Sequence, residues 1–213
     1  MTSRIQLVVW VASLLVGGMM AAAQSIAPPI AEYRGTKVEG MFELLNTTEY
    51  PMAVVLETKS FSVDDHGQVV YRPLDPGITI TMGTTSFVIH PHDSRMVFYK
   101  AALSTAPASF SIIPAMTKAG GIMGVRVNYI LPHMIYVYQK EKMQKSDVKV
   151  DVADGTLHIC NLSNKLGRIQ SVQAAKQDVA GGFPLFPGQT REFPVVGDKV
   201  NITFEDGFKI GVN

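Results

Sequence analysis

The sequence predicts an all-β chain of two sandwich units, and three observations carry that prediction. Apolar and polar residues alternate with a period of two through most of the chain beyond Gln24. Turn-forming residues interrupt the alternation about every 8–12 residues. No stretch longer than about ten residues reads as an amphipathic helix. The 18 glycines and 12 prolines fit many short elements.

Composition narrows the function classes. With 46% apolar and 17% charged residues among 213, the chain is too hydrophobic to be disordered. Nineteen Lys and Arg against 18 Asp and Glu leave a formal charge of +1. That balance lacks the basic stripe of a nucleic-acid binder, so no nucleic-acid partner is expected. A single cysteine, Cys160, excludes an intrachain disulfide and a multi-cysteine metal site.

The first segment reads as an address. Arg4 supplies a basic start, Ile5 to Ala23 carry no charge, and Ala21-Ala22-Ala23 precede Gln24. This is the pattern of a secretory signal peptide over residues 1–23, with cleavage near Gln24. The apolar run is almost long enough to span a bilayer, so an uncleaved anchor is the alternative. Cleavage leaves an exported chain with no stable membrane anchor, and loss of Arg4 takes the formal charge to 0.

A first unit spans residues 24–140. Lys37 to Leu45 reads as a strand closing on Asn46-Thr47-Thr48, with Pro51 just beyond. Met52 to Thr58 forms another strand. Asp64-Asp65-His66-Gly67 turns the chain into Gln68–Arg72. Ser86–Ile89 and Arg95–Tyr99 flank a turn at His90 to Ser94. Ser109–Ile113 is stopped by Pro114, which cannot donate to a ladder. Gly120-Gly121 then opens an extended run from Ile122 to Tyr138, broken at Pro132. Six to seven strands over about 115 residues read as an immunoglobulin-like sandwich.

The charged run Gln139 to Lys145 reads as a linker or a solvated strand end. A smaller second β domain follows at 146–213. Val148–Val152 and Leu157–Cys160 flank the hairpin signal Asp154-Gly155. Cys160 is expected as a small core residue on its strand. Phe183 to Gly188 reads as a loop, and Val200–Phe204 and Phe208–Val212 flank Glu205-Asp206-Gly207. At this size the second unit should pack against the first.

Three local matches carry a resemblance to a known family. They are Phe42-Glu43-Leu44-Leu45-Asn46 with Tyr50-Pro51, then Ser109-Phe110-Ser111-Ile112-Ile113-Pro114, and Val125-Arg126-Val127-Asn128-Tyr129-Ile130-Leu131-Pro132. Together with export and the order of units, they resemble the periplasmic chaperones of the chaperone–usher pilus pathway, as a divergent member. The resemblance covers residues 25–140, and 146–213 by position. It implies a periplasmic chaperone that stabilises pilus or fimbrial subunits by donating an edge strand and delivers them to an outer-membrane usher. Such a strand supplies main-chain hydrogen bonds and alternating apolar side chains. Val125, Val127, Tyr129 and Leu131 alternate in that way, and Ile122 and Met123 extend the set. The same alternation arises if these side chains face their own core.

The family anchors the subunit's terminal carboxylate with two basic residues. The first-strand position falls near Ile30, with Arg34 four residues on. The last strand offers Arg126, about one residue out of register. Arg126 is therefore the first candidate for the anchor and Arg34 the second. The acidic-basic motif usual before the Ile-Pro strand is replaced by Leu103-Ser104-Thr105-Ala106-Pro107.

Other patterns are weaker. His90 and His92 could ligate a metal only if further ligands converged, and His66, His133 and His158 are scattered. No nucleophile elbow, phosphate loop or zinc-protease helix motif is present in the sequence, so no catalytic residue, metal or cofactor is expected. Asn46-Thr47-Thr48, Asn161-Leu162-Ser163 and Asn201-Ile202-Thr203 match the glycosylation pattern, which matters only in a eukaryotic secretory route. A secreted structural or adhesive sandwich, similar to a pilus subunit, is the alternative function, with an exported enzyme third.

Overall fold

The computed structural model describes residues 24–120, 128–175, 177–197 and 199–212. Residues 1–23, which carry the signal-peptide reading, lie outside it, as do Ile122, Met123, Val125, Arg126 and Val127.

The regular structure of the described chain is almost wholly strand. In order these are β1 (Ser25–Ala27), β2 (Ile30–Arg34), β3 (Lys37–Leu45), β4 (Met52–Val63), β5 (Val69–Pro73), β6 (Ile78–Met82), β7 (Ser86–Ile89), β8 (Ser94–Leu103), β9 (Ala108–Lys118), β10 (Asn128–Ile130) and β11 (His133–Tyr138). A 3-10 turn at Lys145–Asp147 leads into β12 (Val148–Ala153) and β13 (Thr156–Asn161). The chain finishes with β14 (Gly167–Ala174), β15 (Gln177–Leu185), β16 (Thr190–Pro194), β17 (Val200–Phe204) and β18 (Lys209–Val212).

Two sheets face each other in the first unit. One has the order β1-β3-β8-β6. The other runs β2-β11-β9-β4-β5, with β10 added to β9 and β7 to β4. The alternation read from sequence decides which side chains meet between them. Val38, Phe42 and Leu44 of β3 face Val54 and Leu56 of β4 and Phe110 and Ile112 of β9 in one core. Gly40 shares the inward face of β3, where a Cβ would overlap the Tyr33 hydroxyl and the Tyr99 ring. Its missing side chain leaves space for those two rings.

The second unit pairs a β12-β13-β16 sheet with a β15-β14-β17-β18 sheet over a separate core that includes Leu157, Ile159, Ile202 and Phe204. Asp154 and Gly155 both take positive φ in the β12–β13 hairpin, 51° and 73°. A turn of this kind matches the strand twist, and it is what the Asp-Gly pair signalled.

The structure corrects three readings. β9 does not stop at Pro114 but continues to Lys118. Leu131 N–H bonds the Pro114 carbonyl at 3.3 Å, which places the proline's bare nitrogen on the same side, in the break between β10 and β11. The proline has no N–H to return to the Leu131 carbonyl, so the strand runs on with that single reciprocal bond missing. Phe183 to Leu185 belong to β15, an edge strand that tolerates Pro184. Cys160 is on a strand, yet it is only half-buried, because Leu157 and Ile159 take the inward face of β13. The Gln139–Lys145 run is exposed at Lys140, Glu141, Lys142, Gln144 and Lys145, and it is pinned at two points: Gln139 and Met143 are buried, and Met143 joins the second core.

Candidate functional site

The site begins at an unpaired strand edge. β10 pairs with β9 in the register Asn128↔Thr117, Tyr129↔Met116, Ile130↔Ala115. β11 continues the same line along β9 and takes β2 as a parallel neighbour on its other side. No described strand pairs with the other side of β10. Leu131 directs its N–H at β9. Strand alternation therefore turns the N–H and C=O of Asn128 and Ile130 outward, unpaired among the described residues.

The face beside that edge is half covered. β11 is buried along its whole length because both of its faces are occupied. Ile135 and Val137 point into the first core, while Met134, Tyr136 and Tyr138 join Phe61 under Leu166 and Phe186 of the second unit. Beyond this contact the same face is open; it carries the exposed Glu57–Lys59 ion pair and, past that pair, a run of exposed apolar side chains. Ile30, Val55, Val88 and Ile130 are about half exposed or more on it, and Ile130 reaches 64%. The register places Val55, Ala115 and Ile130 in one row across β4, β9 and β10.

Polar contacts also join the second unit to the first. Arg168 of β14 pairs with Glu32 of β2 and lies 3.7 Å from Glu205. Tyr138 donates its hydroxyl to Glu32 at 3.1 Å. Burial, reinforced by the Glu32 charge, pushes the Tyr138 phenol well above its usual range. Arg34 pairs with Asp206 at 3.2 Å and donates to the Gln139 carbonyl at 3.3 Å. At the far corner Gln189 donates to the carbonyls of Val63 and Asp64 at 2.6 and 3.0 Å.

A buried polar chain fixes the start of β11. His133 is fully buried. Its Nδ1 lies 2.7 Å from the Pro28 carbonyl, which can only accept, so Nδ1 carries the proton. Nε2 then accepts from the Tyr99 hydroxyl at 2.9 Å, and Tyr99 accepts from Tyr33 at 3.1 Å. The network is complete with a neutral imidazole, and burial lowers the His133 pKa accordingly. It ties the crossing from β1 to β2 onto the residues that follow the open edge.

No family model and no curated protein matches the sequence. Solved structures do. The E. coli chaperone DraB aligns over 88% of this chain and 94% of its own, with a TM-score of 0.57 and 14% identity. A chain of the Salmonella enterica SafA pilin–SafB chaperone complex aligns over 92% and 99%, with a TM-score of 0.60 and 9% identity. The class 5 fimbriae chaperone CfaA aligns over 90% and 99%, with a TM-score of 0.60 and 11% identity. The chain has the fold of these pilus chaperones. The likeness extends through both units, so the second sandwich, which the sequence matched only by position, is part of the shared chaperone fold.

Within that chaperone fold the sequence-derived site residues divide. Tyr129 and Leu131 are half-buried against the first core, and their neighbour Ile130 is the exposed side chain. Ile122, Met123, Val125, Val127 and Arg126 fall outside the described residues. Arg34 is engaged by Asp206 of the same chain. Ile30 leaves an apolar side chain where the resemblance places a basic one.

Sequence reasoning missed two sets of residues. The charges at the junction are distant in sequence: Glu32 and Arg168 are 136 positions apart. The other set was visible but read as a glycosylation pattern. Asn46 is fully buried at the end of β3, and its Nδ2 donates to the carbonyls of Tyr50, Ile89 and His90 at 2.9, 3.1 and 2.9 Å. Its Oδ1 accepts from the Thr48 N–H and hydroxyl. Asn161 at the end of β13 repeats the arrangement with Lys165, Leu185, Phe186 and Ser163. Both Asn-x-Ser/Thr segments are therefore internal clamps. His92 pairs with Glu49 at 3.1 Å, and no group of three metal-binding side chains converges among the described residues.

Proposed function

We propose that this protein is a periplasmic pilus-assembly chaperone, which holds unfinished pilus or fimbrial subunits and delivers them to an outer-membrane usher. Residues 122–131 serve as the donated edge strand. The observation that carries the reading is the open edge of β10, whose outward N–H and C=O groups adjoin an apolar face. A sandwich lacking one strand exposes apolar core and unpaired backbone, and an incoming strand satisfies both. The known structures support this, since one of them is a chaperone in complex with a pilin. Residues 1–23 direct export and are removed near Gln24, so amino-terminal sequencing of exported protein that returned Thr2 would overturn that part.

Arg126 is assigned to the client's carboxylate. Arg34 fills that role only by releasing Asp206. The apolar face bearing Val55 and Val88 stays open beside a client held on the β10 edge, and the usher is assigned to it.

Co-purification with a coexpressed pilus subunit tests the reading. Ile130→Pro removes an outward N–H and leaves the Leu131–Pro114 bond in place. Val127→Asp puts a charge into the client's groove. Both variants should lose the subunit while melting like the wild type. Retention of the subunit by both, or unfolding of the free Val127→Asp protein, would refute the donated strand.

A further inference from the structure

The opposite sheet carries a second exposed patch that the chaperone reading does not use. On the outer face of the β1-β3-β8-β6 sheet, Phe98 is 64% exposed and Met41 51%. They lie directly opposite each other in the β3–β8 register. Met96, 39% exposed, is one step along, and Met82 and Gly83 of the β6 end border a shallow groove beside Phe98. No described residue covers the patch. An aromatic side chain flanked by adaptable methionines is the make-up of a contact surface rather than of a solvated sheet.

The charges around the patch indicate what covers it. The next register pair is Glu39↔Lys100, with Lys100 Nζ 2.8 Å from Glu39 Oε1 and both side chains largely exposed. A two-fold axis parallel to the strands, between β3 and β8, lays β3 of one copy over β8 of the other. Met41 then meets Phe98 of the partner copy twice, and Glu39 meets Lys100 of the partner copy twice. In the Met41–Phe98 and Glu39–Lys100 rows the patch is thus complementary to itself, apolar on apolar and acid on base, which is the requirement of an isologous interface.

We propose that this protein forms a symmetric homodimer through the Met41–Phe98 face, with Glu39 and Lys100 exchanging ion pairs across the two-fold axis. The patch is small, so the dimer is weak and concentration-dependent. It lies on the sheet opposite the β10 edge, so client binding and dimerisation do not compete for the same residues.

Sedimentation equilibrium of the mature protein over a concentration series tests this. The wild type should move from monomer to dimer as concentration rises. Phe98→Asp should abolish the dimer, and Val55→Asp, on the other sheet, should leave it unchanged. Glu39→Lys alone and Lys100→Glu alone each place like charges across both contacts, and each should weaken self-association by about tenfold or more. An equimolar mixture of those two variants should form a heterodimer at least as tight as the wild type, because every cross-axis pair is again opposite in sign. A wild type that stays monomeric throughout, a Phe98→Asp protein that still dimerises, or a mixture that does not associate would each overturn the proposal. A dimer lost on Val55→Asp would place the interface on the other sheet and refute it equally.

Discussion

Replacing Asn46 by alanine should unfold the first unit at markedly lower denaturant. The Asn46 amide joins the end of β3 to the end of β7 and to the turn before β4 through three carbonyls, while its oxygen receives the Thr48 N–H. The residue is fully buried, so water replaces few of these partners. Two amide hydrogens are shared among three carbonyls and the oxygen accepts the Thr48 N–H, so the loss is close to three neutral hydrogen bonds at about 1 kcal/mol each. A cost of about 3 kcal/mol corresponds to a fall of roughly 10 °C in the melting temperature of a unit this size. Asn46→Asp sharpens the test. It keeps the shape and the acceptor but turns an unprotonated oxygen toward three carbonyls. The introduced carboxyl is therefore held above its unfolded pKa of about 3.9. A group whose folded pKa is raised contributes stability below the unfolded value and loses it as pH rises through the folded one. The aspartate variant should thus weaken relative to wild type from about pH 4 upward, whereas ordinary acid denaturation weakens a protein in the other direction. Urea titrations followed by far-UV circular dichroism at several pH values read both effects. If Asn46→Ala and Asn161→Ala each unfold within about 0.5 kcal/mol of wild type, the clamp reasoning is wrong.

The buried imidazole and the junction charges give two more expectations. His133 has its pKa lowered by burial, so its contribution to stability is fully present above the unfolded value of about 6.5 and is lost as pH falls toward the folded one. Urea midpoints measured between pH 7.5 and 5 should fall more steeply for the wild type than for His133→Gln, and equal slopes would refute the assignment. Arg168→Ala removes the partner of Glu32 in a half-buried pair and should weaken the contact between units by about 1–2 kcal/mol. Small-angle scattering should then show a wider range of inter-unit angles, and an unchanged profile would assign the angle to Phe61, Tyr136 and Phe186 instead.

Much of this architecture is legible in the sequence, for identifiable reasons. β3 and β7 were bounded correctly from alternation and turn residues, because each has one core face and one exposed face. β11 is buried on both faces and reads as an apolar run with no period, so sequence placed it within one long strand. β14 was not recognised: a bulge shifts its register between Ile169 and Ser171 and breaks the alternation. β1, with three residues, is too short to show a pattern. Pro114 misled because a strand with partners on both sides, here β4 and the β10–β11 line, runs on through the loss of one ladder bond. At the site, the apolar character of residues 129–131 was visible, but which of them faces outward depends on the pairing of β10 with β9, and that is set by strands distant in sequence. Glu32, Arg168 and Asp206 carry no local signal, since their meaning lies in the meeting of two units.

Residue-resolved amide hydrogen exchange, with and without a bound pilus subunit, tests the donated edge most directly. In the free protein the N–H groups of Asn128 and Ile130 face away from β9, and they should exchange faster than those of Tyr129 and Leu131. Addition of a subunit should slow Asn128 and Ile130 strongly and leave Tyr129 and Leu131 nearly unchanged, because only the outward groups gain a strand partner. A subunit that binds tightly while Asn128 and Ile130 continue to exchange at their free rates would contradict the account.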